Sequence, residues 1–294
     1  MSLTSGARAT ADAALDWRSV SLDVKEVEAA GTTFAWAELG SGEPLLLLNG
    51  TASPMSEWDP AFLAGLASRN RIIVFDYPGL GGSGGAPGRW TFANAADWIA
   101  DFIHQVSSDS PVHVLGWSMG GFIAQQLTIR HPEIVHGLVL AATNPGGSRT
   151  VLGPTWVQEI DSSSSSDADY LRTNYPPSGQ DAGRRFLKRL SYAWESGAYP
   201  PSDTPVRTLN AMVAAEEPWL LSNANLRRLS SISAPTLVID GAQDLITPAV
   251  NSSLLASRIP NARLQILPGS GHSFIFQRPD QVSATISAFL AARR

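Results

Sequence analysis

Val112-His113-Val114-Leu115-Gly116-Trp117-Ser118-Met119-Gly120-Gly121-Phe122-Ile123 decides how this chain is read. Its first four residues are a short, mostly apolar run, as in a strand covered on both faces, and from Gly121 to Arg130 the pattern turns helical. Between them lies G-x-S-x-G, which puts a serine where a strand turns sharply into a helix. Glycine is needed two places to either side because strand and helix approach too closely there for a Cβ. The same turn holds Ser118 in a strained backbone conformation, its hydroxyl exposed above the sheet edge and the amide of Met119 open to an oxyanion from the helix N-terminus. The pentapeptide alone is a weak signal, since Gly and Ser are common in loops; the flanking strand and helix give it weight.

A serine hydroxyl is unreactive at neutral pH, so the turn calls for a histidine to take its proton and a carboxylate to orient that histidine. Both follow downstream. The strand-like run Pro235 to Asp240 leads into Gly241-Ala242-Gln243-Asp244, and Ala262 to Leu267 ends in Pro268-Gly269-Ser270-Gly271-His272. Three reactive side chains thus fall at the C-terminal ends of three parallel strands, where open α/β sheets place their sites. Asp240, at the strand end itself, is a rival to Asp244.

In this order of Ser118, Asp244 and His272 the chain resembles the α/β-hydrolase superfamily, and more closely its bacterial serine esterases, enol-lactonases and cofactor-free haloperoxidase-like members. The resemblance runs from about Val20 to the C-terminus. It includes Leu45-Leu46-Leu47-Leu48-Asn49-Gly50-Thr51, Phe75-Asp76, and His131-Pro132-Glu133 leading to Leu138 through Thr143. It implies an α/β-hydrolase fold, a mostly parallel sheet covered by helices on both faces, with an inserted helical cap. It also implies Ser118 as nucleophile, His272 as base, Asp244 rather than Asp240 as the acid, and a second oxyanion amide at Thr51 beside that of Met119. Neither a cofactor nor a metal is called for. The implied activity is hydrolysis of a carboxylic ester or lactone of a small to medium apolar substrate through an acyl-enzyme. The alternatives are C–C bond hydrolysis, perhydrolysis or natural-product tailoring by the same triad, and a non-catalytic ligand-binding receptor on the same scaffold.

Two departures from the family pattern stand out. Many relatives have His-Gly where this chain has Asn49-Gly50; Asn49 with Trp58 nine residues on is similar to enol-lactonase-like sequences, and Asn49 is read here as bracing its loop. Gly50 is expected to permit the tight turn that points the Thr51 amide inward. The family's Asp-x-Arg-Gly is Asp76-Tyr77-Pro78-Gly79, so an arginine is missing and the bracing of that loop is open.

Outward from these motifs, Ser19 to Ala29 and Thr32 to Leu39 alternate around Gly31 as an antiparallel hairpin at one sheet edge. Leu45 to Leu48, Arg71 to Phe75, Val112 to Leu115, Leu138 to Ala141, Thr236 to Ile239 and Leu264 to Leu267 read as buried strands. Between them Pro60 to Ser68, Phe92 to Val106, Gly121 to Arg130, Pro248 to Arg258 and Pro279 to Ala292 read as helices. The strand rhythm stops between Thr143 and Leu229. The chain therefore divides into a flexible tail (residues 1–18), a core domain (19–143 and 230–294) and a helical cap (144–229) holding a serine run, Ser162 to Ser166, and the helical patterns Ala182 to Trp194 and Val206 to Ala215. Trp156, Tyr170, Tyr175, Trp194, Tyr199 and Trp219 are its aromatics, for its own core or a substrate pocket.

At 294 residues, 44% hydrophobic and 16% charged, the chain has ample material for a large buried sheet. A net charge of -5 without a basic run leaves no footprint for nucleic acid. The basic clusters Arg184-Arg185 with Lys188-Arg189, and Arg227-Arg228, read as solvated helix faces. The absence of cysteine removes disulfides, thiol catalysis and zinc-thiolate sites. No 18-residue apolar stretch offers a membrane span, and the first sixteen residues lack a signal peptide's basic start and apolar centre, so a cytoplasmic location is expected. The partner expected is a small-molecule substrate; the oligomeric state stays open. Gly79-Leu80-Gly81-Gly82-Ser83-Gly84 fits a dinucleotide fingerprint, but Pro87 and Gly88 follow where a helix should begin. His104, His113, His131 and His136 show no metal-ligand spacing.

Overall fold

The computed structural model describes residues 15–107, 110–161, 166–201 and 203–292. Its strands are β1 (Lys25–Ala29), β2 (Thr32–Leu39), β3 (Pro44–Leu48), β4 (Arg71–Phe75), β5 (Val112–Trp117), β6 (Val135–Ala141), β7 (Thr236–Gly241) and β8 (Arg263–Leu267). They make one sheet in the order β1-β2-β4-β3-β5-β6-β7-β8. β1 pairs antiparallel with β2, and β2 antiparallel with β4, while the remaining neighbours are parallel. The helices are α1 (Pro60–Ala67), α2 (Phe92–Val106), α3 (Met119–Arg130), α4 (Thr155–Asp161), α5 (Asp167–Asn174), α6 (Gln180–Glu195), α7 (Val206–Leu221), α8 (Ala224–Arg228), α9 (Val250–Arg258), α10 (Phe274–Gln277) and α11 (Pro279–Ala291). This is the α/β-hydrolase fold.

Successive strand residues serve opposite faces, which is why the parallel strands are apolar throughout. Leu46 and Leu48 join Ile73, Phe75, Val114, Leu138 and Val238 under α2, α3 and α9. Leu45 and Leu47 join Ile72, Val74, Leu115, Val139 and Ile239 under α1, α6 and α11. Helix starts follow local chemistry. Asp59 accepts from the Ala61 amide at 3.0 Å with Pro60 in the first turn, and Thr91 accepts from the Asn94 amide at 3.0 Å.

The structure departs from the sequence reading in four places. The first strand pairs only from Lys25, because the chain before it turns aside: the Leu22 amide donates to Ala198 O at 2.8 Å. Ahead of that, Trp17–Ser19 forms a single turn with Trp17 edge-on to Tyr192. The helix expected over Val206 to Ala215 runs on through Pro218 to Leu221. Proline costs about 3 kcal/mol inside a helix, but the extension carries Trp219 onto Phe122, rings stacked at 5.1 Å, and lets its Nε1 donate to Asn144 Oδ1 at 2.9 Å. Arg189 does not face solvent with its cluster; it forms a two-bond ion pair with the buried Asp59 at 2.7 and 2.6 Å, whereas Arg184 stays exposed beside Asp181. Residues 1–14 of the expected tail and Ser162 to Ser165 of the serine run lie outside the described residues.

The helices between β6 and β7 lie against the C-terminal ends of the strands and their loops. Trp194 Nε1 donates to Ser56 O at 3.1 Å, Thr208 Oγ1 to Gly79 O at 2.9 Å, and Asn225 Nδ2 to Gln125 Oε1 at 2.8 Å. Among the described residues no helix is long and apolar enough to cross a membrane.

Candidate active site

β5 ends at Trp117 and α3 begins at Met119, leaving Ser118 alone in the turn with φ 56° and ψ −123°. Such a backbone is strained for any residue with a side chain and persists only where its surroundings hold it. Here the Ser118 amide donates to Ala141 O at 3.0 Å, and its carbonyl accepts from the Gly121 amide at 2.9 Å and from Thr143 Oγ1 at 2.8 Å. A Cβ on Gly116 would run into the Gly120 carbonyl, and one on Gly120 into the carbonyls of Leu48 and Asn49. Both glycines are therefore fixed by close approach, as the spacing of the motif requires.

The loop after β3 passes directly over this turn. A Cβ on Gly50 would stand 3.1 Å from the Trp117 ring and 3.7 Å from the Ser118 Cβ. Gly50 thus serves contact rather than turning; the left-handed position in this loop belongs to Ala52, φ 55°. Asn49 braces the loop as read from sequence: its Oδ1 accepts from the Gly50 amide at 2.9 Å and its Nδ2 donates to Pro54 O at 3.0 Å. The arginine missing after β4 is replaced by direct bracing. Asp76 accepts from the Met55 amide at 2.7 Å and the Gly82 amide at 2.9 Å, while the Tyr77 hydroxyl donates to Asn49 O at 3.0 Å. The glycines after Asp76 form turns that end at Gly84, eight residues before α2, so α2 does not begin directly from them.

Asp244 and His272 come together from the loops after β7 and β8. These loops are joined by the Gln243 amide donating to Ser270 O at 2.9 Å, and by Gly241, whose Cβ would collide with the backbone of Ser270 and Gly271. His272 Nδ1 lies 2.8 Å from Asp244 Oδ2, both side chains almost wholly buried. Asp244 Oδ1 accepts from the amides of Ile246 at 2.7 Å and Thr247 at 2.8 Å, and its Oδ2 from Thr247 Oγ1 at 2.9 Å. Burial alone would raise this carboxyl; the charge and hydrogen bond of His272 and the two amides outweigh it and hold Asp244 below the usual carboxylate value. Asp240 goes the other way. Wholly buried, with Asp244 adding like charge, it is held well above that value even though Ser252 Oγ and the Gly241 amide donate to it at 2.7 Å each. The surroundings thus favour the anion at Asp244 and the neutral acid at Asp240.

Ser118 is brought to the same end of the sheet. Its neighbour Trp117 donates through Nε1 to His272 O at 3.2 Å and faces the imidazole at 5.3 Å between ring centroids. Among the described residues no hydrogen bond joins the Ser118 hydroxyl to the imidazole, so the pair held in direct contact is Asp244 and His272. Ser118 and Thr51 line one cavity of about 320 Å³, walled by apolar side chains including Phe122, Leu152, Val157, Val213 and Trp219. Met119 is the first residue of α3, where helix geometry leaves the amide without an intrahelical acceptor. Of the aromatics singled out, Trp219 lines this cavity, Tyr170 and Trp194 line another, and Tyr175 and Tyr199 are buried.

Sequence reasoning missed Thr247, which grips Asp244 and stands 3.3 Å from His272 Nδ1. It also missed Glu216, which accepts from Thr51 Oγ1 at 3.1 Å in the cavity. A hydroxyl three residues after an acid is a readable turn signal; nothing local marks Glu216, 165 residues from its partner. His113 pairs with Glu43 and His131 with Asp97, each at 2.9 Å or less.

The family model for the alpha/beta hydrolase fold matches residues 43–279, spanning every element just described from β3 to the start of α11. The chain belongs to the α/β-hydrolase family. This hydrolase is 30% identical over 262 residues to a pimeloyl-[acyl-carrier protein] methyl ester esterase of Nitrosomonas europaea, covering 85% of this chain and 96% of that one. It is 30% identical over 257 residues to a poly(3-hydroxyalkanoate) depolymerase of Ectopseudomonas oleovorans, covering 85% of each. Among solved structures, an alpha/beta hydrolase fold protein from Chitinophaga pinensis superposes with a TM-score of 0.83 at 23% identity, covering 92% of this hydrolase and 98% of its own chain.

Proposed function

We propose that this hydrolase cleaves a carboxylic ester or lactone of a small to medium apolar substrate, with Ser118 as nucleophile. The observation that carries the reading is the strained Ser118 opening onto a cavity with apolar walls and a few polar groups, at the same strand ends as a buried, ion-paired Asp244 and His272. One relative bears the name of a methyl ester esterase and another that of a depolymerase, in line with it. In this mechanism His272 takes the Ser118 proton as Oγ attacks the carbonyl carbon, and returns it to the leaving alcohol. Water activated by the same imidazole then releases the acid and frees Oγ. Asp244, ionised and gripped by Thr247, fixes the imidazole with Nδ1 protonated and stabilises the imidazolium. The amides of Thr51 and Met119 stabilise the oxyanion, each worth about 2.7–4 kcal/mol in such sites. Serine–imidazole hydrogen bonds are often loose before substrate arrives, in keeping with the geometry here. The helices of residues 144–229 act as a cap that excludes water.

Ser118→Ala is expected to lower kcat for p-nitrophenyl butyrate by about 10³-fold or more while leaving the thermal transition in place. A variant that keeps most of the activity overturns the serine mechanism.

A further inference from the structure

A second cavity of about 250 Å³ lies against Trp117, the residue before Ser118. Ser53 and Glu57, from the loop after β3, form its floor with Tyr170 of α5, Phe186 and Trp194 of α6 and Phe276 of α10. Thr51 and Ser118 line the first cavity, so the two spaces flank the same two stretches of chain, Thr51 to Ser53 and Trp117 to Ser118. One sign of charge runs through both. Among their described lining residues the charged side chains are Glu57 and Asp167 in the second cavity and Glu216 in the first, with no Lys, Arg or His.

Glu57 is the group that decides the ligand chemistry. Glu57 is half-buried in a cavity lined by aromatic side chains, with Ser53, Asp76 and Tyr170 near enough to act on its carboxyl and Asp167 at the exposed rim. Asp76 and Asp167 add negative charge to that of Glu57, and no Lys, Arg or His lines the cavity to offset it for an anionic group. A cation with an apolar body meets the opposite: a carboxylate short of water and ring faces that attract positive charge.

We propose that the second cavity is the other half of the substrate site and receives an organic ammonium group carried at one end of the otherwise apolar substrate, held between Glu57 and the rings of Tyr170, Trp194 and Phe276. Its place in turnover rests on the serine-hydrolase reading; the binding itself does not. Burial, with Asp76 adding to it, holds the Glu57 carboxyl up at about 6 despite the Ser53 hydroxyl. The carboxylate form that an ammonium needs is therefore present above pH 6 and lost below it.

The test is calorimetric titration of phenyltrimethylammonium, and separately of benzoate, into the wild-type protein and Glu57→Gln at pH 7.5, with the wild type repeated at pH 5. The expected result is binding of the ammonium that weakens about tenfold in Glu57→Gln and again at pH 5, and no binding of benzoate. Absence of ammonium binding to the folded wild type, equal affinity in Glu57→Gln, or benzoate binding as tightly would each overturn it. Turnover of p-nitrophenyl butyrate without ammonium binding removes this inference and leaves the hydrolase reading. Ammonium binding that depends on Glu57 without Ser118-dependent turnover does the reverse.

Discussion

At the scale of single residues, the aspartate near the end of β7 and the one in the loop after it are pushed in opposite directions. Asp244 is rich in donors that hold its carboxyl below the usual value; Asp240, four residues earlier and wholly buried, is held well above it. The sign of the consequence follows by linkage. A carboxyl held above its ordinary value binds more protons in the folded state, so it lowers stability progressively as pH rises past the ordinary carboxylate value of 3.8. Asp240→Asn removes that loss. Its melting temperature relative to the parent is expected to be higher at pH 8 than at pH 4, measured by thermal denaturation at both; a difference that shrinks with pH would show that Asp240 is ionised. The sequence made both aspartates candidates by position, but could not reveal which carries the charge, because that depends on the Ile246 and Thr247 amides and the His272 ring arriving from another strand end.

At the scale of elements, the strand–turn–helix around Ser118 is the most legible part of the chain. Its glycines are dictated by contacts between neighbours in space, and the motif encodes those contacts directly. Gly120→Ala would press a Cβ against the backbone carbonyls of Leu48 and Asn49, which are held in β3 and its loop. A loss of about 1–3 kcal/mol or more is expected in urea denaturation; an unchanged midpoint would mean that the turn is looser than described. The five helices read between core strands were legible for a related reason, since proline, aspartate and threonine at Pro60, Asp59 and Thr91 act within one turn. The segment between β6 and β7 was less so. α7 outruns its proline and Arg189 turns inward because Trp219 and Asp59 wait for them across the fold, and no local pattern records a partner 75 or 130 residues away.

At the scale of the whole molecule, an apolar sheet covered on both faces presents its strand ends to the helices that lie above them, and the chemistry gathers in that seam. The order β5, β7, β8 in which Ser118, Asp244 and His272 follow their strands was visible from sequence, and the fold brings those ends together. The carboxylates of the two cavities were not visible, because Glu57 meets α5 and α6, and Glu216 meets Thr51, only in the folded chain. The central claim is that Ser118 is an activated nucleophile served by His272 and Asp244. It is tested most directly by exposing the folded protein to a fluorophosphonate and locating the adduct by peptide mass spectrometry, beside His272→Ala and Asp244→Asn. The account predicts one adduct, on Ser118, forming far more slowly in both variants; an adduct elsewhere, or labelling of Ser118 at an unchanged rate in the variants, would contradict it.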